Sequence, residues 1–128
     1  MKREGIINAE LAGALARLGH TDHVVVCDAG LPIPPGPEVV DLAFRFGVPS
    51  FETVLSGLLE ELVVEGATAA EEVERNPRSY ELLTSRLPDL GFVSHEELKR
   101  MVAGTKLVVR TGEATPYSNV ILRCGVPF

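Results

Sequence analysis

Three histidines, an aspartate at the end of an apolar run and a late tyrosine and asparagine are the groups here that could move protons or hold hydroxyls. His20 and His23 precede Val24-Val25-Val26-Cys27, and Asp28 ends that run. His95 lies within Ser94-His95-Glu96-Glu97, and Tyr117 and Asn119 flank Ser118 just ahead of Val120-Ile121-Leu122. Imidazoles, carboxylates, a phenol and amides suit proton transfer and the hydrogen bonding of a polyhydroxylated molecule, which points to a small sugar. The sequence has no G-x-G-x-x-G and no G-x-x-x-x-G-K-[ST], so a dinucleotide or nucleoside triphosphate would lack its backbone cradle. It has no G-x-S-x-G nucleophile turn either.

Each of these residues also has a plain structural reading. His20 follows Gly19 and could cap the last carbonyls of a helix. Asp28 could be a turn former where a strand gives way to a Gly-rich loop. His95 could be a surface residue in a first helical turn. Lys99, one turn later, is either a solvated partner of Glu96 or a ligand contact. Tyr117 and Asn119 suit a loop role as well as a binding role. The H-x-x-H of His20 and His23, with Asp28, suggests a metal triad, but two histidines in a turn are no ligand set until geometry makes them one. The expectation is no metal.

The elements that must position these groups alternate. Leu11, Leu15 and Leu18 fall at helical spacing behind Asn8 as N-cap, with Gly19 as a left-handed C-cap. Val24 to Cys27 has the β-branched continuity of a strand covered on both faces. Residues 29–37 carry too many prolines for a ladder and form a stiff loop that suits a site wall. Val39 to Phe44 reads as a strand, and Phe51, Val54, Leu55, Leu58, Leu59 and Leu62 as a helix capped by Ser50. A strand is expected over Leu62 to Glu65 or Ala67 to Ala69, before the acidic run Glu71, Glu72 and Glu74. Pro77 opens a helix through Leu87 that Pro88 closes, and Phe92-Val93 is a brief strand. Ser94 to Glu97 is a capping box opening a helix toward Val102. Leu107 to Val109 and Val120 to Leu122 are two further strands. This order predicts an α/β fold with a central parallel or mixed sheet. Ligands of such sheets bind beyond the carboxyl ends of strands, which singles out Asp28 and the loop after Val109.

With 128 residues, 45% apolar and 23% charged, the chain is expected to form one domain over residues 1–128. Such a chain buries roughly 65–70% of its unfolded surface and needs no staple, so Cys27 and Cys124 are expected as reduced, buried thiols. A net charge of −6, with no basic run, disfavours nucleic acid as a partner. No apolar stretch is long enough to span a bilayer, and the polar start predicts a cytoplasmic protein with no membrane partner.

Taken together, Asn8, Leu18-Gly19-His20-Thr21-Asp22, Asp28-Ala29-Gly30-Leu31-Pro32, Ser94 to Glu97 and the block Arg110 to Asn119 resemble the D-ribose pyranase family, with the match running from Gly5 to Phe128. That family interconverts the pyranose and furanose forms of D-ribose without a cofactor. The resemblance implies that His20 is the proton donor and that Asp28, His95, Lys99, Tyr117, Ser118 and Asn119 bind the sugar. It also implies a three-layer α/β/α sandwich with Rossmann-like layering. Family members assemble into homo-oligomers, often decamers of two stacked pentamers, with sites near subunit boundaries. Related fucose mutarotases share the Gly-His and Asp-Ala elements but carry a different pair where this chain has Gly30-Leu31. One departure is Ser118, where alanine is common in the family; a hydroxyl there is compatible with a sugar site. Competing readings are a fucose-type mutarotase, a non-catalytic sugar-binding module serving a transporter or kinase, and a metal-dependent hydrolase using His20, His23 and Asp28.

Overall fold

The protein is described from a computed structural model covering residues 1–87 and 89–128. Among these residues, strands β1 (His23–Cys27), β2 (Glu38–Asp41), β3 (Val64–Ala70), β4 (Leu90–Val93), β5 (Leu107–Arg110) and β6 (Val120–Cys124) form one sheet in the order β2-β5-β1-β6-β3-β4. Pairing is parallel for β1 with β5, β2 with β5 and β3 with β4, and antiparallel wherever β6 is a partner. Five strands therefore run one way and β6 runs against them. The carboxyl ends of β1 to β5 and the start of β6 share one edge of the sheet.

Helices α1 (Ala9–Ala16), α2 (Phe51–Glu61), α3 (Pro77–Arg86) and α4 (His95–Val102) cover the two faces. Strand periodicity decides which residue faces which helix. Val24, Val26, Leu107, Val109, Val120 and Leu122 pack with Leu11 and Leu15 of α1, Phe51, Leu55 and Leu58 of α2, and Leu83 of α3. The alternate residues Val25, Cys27, Val108 and Ile121 pack with Leu98 and Val102 of α4 and with Leu31. The result is the expected α/β/α layering, with a mixed sheet at its centre. Cys27 and Cys124 are both free and buried, and burial pushes the Cys27 thiol up to about 12.

The expected caps recur, with corrections. Asn8 Oδ1 accepts from the Leu11 amide at 2.9 Å, and Ser50 Oγ accepts from the Thr53 amide at 3.1 Å. Gly19 is not a left-handed cap: α1 ends at Ala16, and the positive backbone angle falls on Thr21, at φ 69°. The capping box is half formed. Ser94 Oγ accepts from the Glu97 amide at 3.1 Å, but Glu97 turns outward to Arg100, and Glu72 takes the His95 amide at 2.8 Å. Pro88, expected to close α3, lies outside the described residues.

Two strand boundaries also differ from expectation. β2 stops at Asp41 rather than Phe44, because the Phe44 and Arg45 amides turn onto the Val48 carbonyl. β3 runs from Val64 to Ala70, so it contains Ala67 to Ala69 but only the last two residues of the Leu62 to Glu65 alternative, Leu62 being the C-cap of α2. It has a register shift between Val64 and Gly66 and leads into a 3₁₀ turn over Glu71–Arg75.

Candidate active site

Asp28 leaves β1 where the ladder ends, and its carboxylate is held at both oxygens. Oδ1 accepts from the Gly30 amide at 2.9 Å, and Oδ2 accepts from Asn119 Nδ2 at 3.0 Å. Asn119 Oδ1 in turn accepts from the Asp28 amide at 2.9 Å. Asn119, at the start of antiparallel β6, can reach the exit of β1 because the two strands are neighbours running in opposite senses. Burial raises the Asp28 pKa, against the pull of the Gly30 amide, Asn119, the Leu31 amide and His95. Asp28 is thus an oriented acceptor whose burial favours its protonated form more than solvent would.

Above this floor lies a cavity of about 370 Å³, lined by residues 28–32, Phe46, His95 and residues 113–117. His95 enters it from the first turn of α4, and its ring meets the Tyr117 ring edge-on with centroids 5.0 Å apart. Nδ1 of His95 is buried and without a hydrogen-bond partner, the single side-chain polar atom so placed among the described residues. A buried polar atom of this kind is costly unless something in the cavity bonds it. Tyr117 sits at φ 64°, in the left-handed region that a side chain disfavours. Its neighbours hold it there: Asn76 Nδ2 donates to the Pro116 carbonyl, Ser118 Oγ meets Ser79 Oγ at 2.6 Å, and Arg75 lies 5.8 Å over the Tyr117 ring.

The structure therefore brings Asp28, His95, Tyr117 and Asn119 together. Ser118 is buried beside them, its hydroxyl turned to α3. Lys99 is paired with Glu96 at 2.6 Å and lies outside the cavity lining. His20 is elsewhere. It precedes β1, and the adjacent Thr21 amide donates to the carbonyl of Cys124, the last residue of β6, which places it on the opposite edge of the sheet. There its half-exposed ring bonds Glu65 Oε2 at 3.1 Å, while Arg123 holds Glu65 Oε1 at 3.0 Å. β1 alone puts about 13 Å between the two edges, longer than a pentose. For the same reason His20, His23 and Asp28 do not converge as metal ligands.

Sequence reasoning missed the groups that brace the cavity. Arg110 donates to the Ala29 carbonyl through Nη2 at 2.8 Å and to Asp41 through Nη1 at 2.9 Å. Thr111 Oγ1 donates to the Cys27 carbonyl at 2.8 Å. Glu72 looked like a solvated carboxylate in an acidic run, and Glu113 was given no role of its own. The one available signal was position, since all four lie just at or beyond the carboxyl end of a strand.

Comparisons with known proteins bear on what such a cavity holds. Residues 1–127 match the model of the RbsD / FucU transport protein family. The chain is 74% identical to D-ribose pyranase 1 of Rubrobacter xylanophilus and 67% identical to the D-ribose pyranase of Streptomyces avermitilis, covering 100% of both chains in each case. Among solved structures, Bacillus subtilis RbsD complexed with D-ribose superposes with a TM-score of 0.95 at 44% identity, covering 100% of both chains. The fucose mutarotase of Streptococcus pneumoniae, in complex with L-fucose, superposes with a TM-score of 0.79 at 19% identity, also over 100% of both chains. That second likeness is one of fold.

Proposed function

The chain belongs to the RbsD / FucU family, and from that we propose that it catalyses the D-ribose pyranase reaction, interconverting the β-pyranose and β-furanose forms of D-ribose. The observation that carries this reading is the identity of 74% to a D-ribose pyranase over the whole of both chains. The enzyme is an isomerase of one domain over residues 1–128, working in the cytoplasm without a cofactor.

The reaction moves only protons and one C–O bond. A base takes the proton of the anomeric hydroxyl, C1 becomes a carbonyl as its bond to the ring oxygen O5 breaks, and an acid protonates O5. Closure then runs the same steps in reverse through O4. Each positioned acid or base contributes about 10²–10⁴-fold. Asp28, held by Asn119 and the Gly30 amide, anchors the sugar, and His95 and Tyr117 hold its hydroxyls from the facing wall. Ser118 supports that wall from behind through Ser79, while Asn119 braces Asp28. Lys99 reaches the sugar only by releasing Glu96.

His20 is the proton donor, and it comes from a second copy of the chain. What supports this is its separation from Asp28 within one protomer, together with its exposure on the opposite edge. Phe44, Phe46 and Val48, beside the cavity and 76%, 83% and 48% exposed, give a neighbouring copy an apolar surface to cover. The assembly is a homo-oligomer, with the decamer of two stacked pentamers as the form the family resemblance implies.

Saturation-transfer NMR tests the reading. The protein is expected to accelerate exchange between ribopyranose and ribofuranose, and to act less on L-fucose, whose hydroxyls would leave the polar groups of the cavity unpaired. Faster exchange in fucose than in ribose would select the fucose-type activity. Ribose binding without acceleration would select a sugar-binding module.

A further inference from the structure

Glu113 stands between the two walls of the cavity and has no part in the chemistry above. Its backbone is stitched to the exit of β1: the amide donates to Thr111 Oγ1 at 3.1 Å, and the carbonyl accepts from the Ala29 amide at 2.9 Å. Its carboxylate faces two ways. Oε1 accepts from the amide of Phe51, the first residue of α2, at 3.2 Å. Oε2 accepts from the Ala114 amide at 3.2 Å, the Thr115 amide at 3.4 Å and Thr115 Oγ1 at 3.2 Å.

We propose that Glu113 is a positioning residue: its carboxylate pins the 113–117 wall to the start of α2 and so sets where Tyr117 meets the sugar. This rests on the ribose reading of the cavity. The Phe51 amide is an orphan donor of a helix start, where negative charge is favoured by the helix dipole. The Ala114 and Thr115 amides follow in succession on the same carboxylate and bend the wall around it. Without the carboxylate four donors lose their acceptor, and the wall keeps only the backbone bonds of residue 113 at one end and its tether at Pro116 to Ser118 at the other. Grip on the sugar then weakens more than proton transfer does, because Glu113 touches neither Asp28 nor the donor imidazole. A carboxamide keeps one acceptor and loses the charge, so Gln is an intermediate replacement.

The test measures ring exchange against ribose concentration, together with amide hydrogen exchange, for the unmodified protein, Glu113→Ala and Glu113→Gln. For Glu113→Ala the expected result is a KM raised about tenfold with kcat within about threefold, a size set by loss of several charge-assisted hydrogen bonds. The Phe51, Ala114 and Thr115 amides exchange faster, while Val25 and Val108 in the sheet keep their protection. Glu113→Gln falls between, and carries the test if the alanine variant does not fold. An unchanged KM in a folded variant, a loss confined to kcat, or unchanged amide exchange at residues 114 and 115 would each overturn the proposal. Failure of the unmodified protein to accelerate ribose exchange would instead refute the reading of the cavity, and the amide exchange would still report the anchoring.

Discussion

Asn119 uses both ends of one side-chain amide on one neighbour, accepting from the Asp28 backbone and donating to the Asp28 carboxylate, with no solvent exposure of its own. Asn119→Ala leaves a buried amide and a buried carboxylate oxygen unpaired, so unfolding stability falls by about 1–3 kcal/mol. The same change pushes Asp28 further up, because one of the contacts that favour its charged form is gone. Urea unfolding and carboxyl-carbon NMR titration read the two effects. At this scale the sequence was informative about residue types and silent about pairing. Asp28, His95, Tyr117 and Asn119 were legible as candidate polar groups because they punctuate strand ends, and the structure brings them to one cavity and its floor. Glu72 and Glu113 were not, because a carboxylate that accepts backbone amides carries the same letter as one in water.

At the scale of elements, the central strands were legible because β1, β5 and β6 are covered on both faces and so are apolar without alternation. β2 was overextended because the Phe44 and Arg45 amides leave the ladder for the Val48 carbonyl, a turn that the run into Phe44 does not announce. Gly112 lies against the turn that follows β2, where a Cβ would meet the Val48 carbonyl oxygen at 2.4 Å and the Arg45 carbonyl oxygen at 2.5 Å. Gly112→Ala must therefore push back the segment carrying Phe46. We expect a loss of about 1–3 kcal/mol in thermal unfolding, with weaker ribose binding. The turn carrying His20 depends on charge. Asp22 accepts from Lys106 Nζ at 2.7 Å and from the Gly19 amide at 2.6 Å, and these contacts, Lys106 first, hold its pKa below the ordinary 3.8. A lowered carboxylate contributes stability that is complete above 3.8 and is lost as pH falls through its folded value. Urea melts between about pH 5 and 2 should therefore show a shallower acid decline for Asp22→Asn than for the unmodified chain. Equal declines would mean that the contact carries no linkage.

For the whole molecule, the direction of the strands matters most. His20 and Asp28 flank one short strand and read as neighbours in sequence, yet the strand puts them on opposite edges of the sheet. That separation is invisible to motif reading, which gives order along the chain and not direction across the sheet. Under the proposed reading oligomerisation becomes part of the chemistry, since one protomer would offer the sugar Asp28 at one edge and His20 only at the other. The most direct measurement mixes two inactive variants, His20→Ala and Asp28→Ala, dissociates and reassembles them together, and follows ribose ring exchange by saturation-transfer NMR. Each mixed assembly contains contacts where an intact His20 faces an intact Asp28, and random pairing restores about a quarter of the sites. The account predicts that activity returns to that order in the mixture while each variant alone stays inactive. No recovery from well-mixed, folded oligomers, or full activity in His20→Ala by itself, would contradict it.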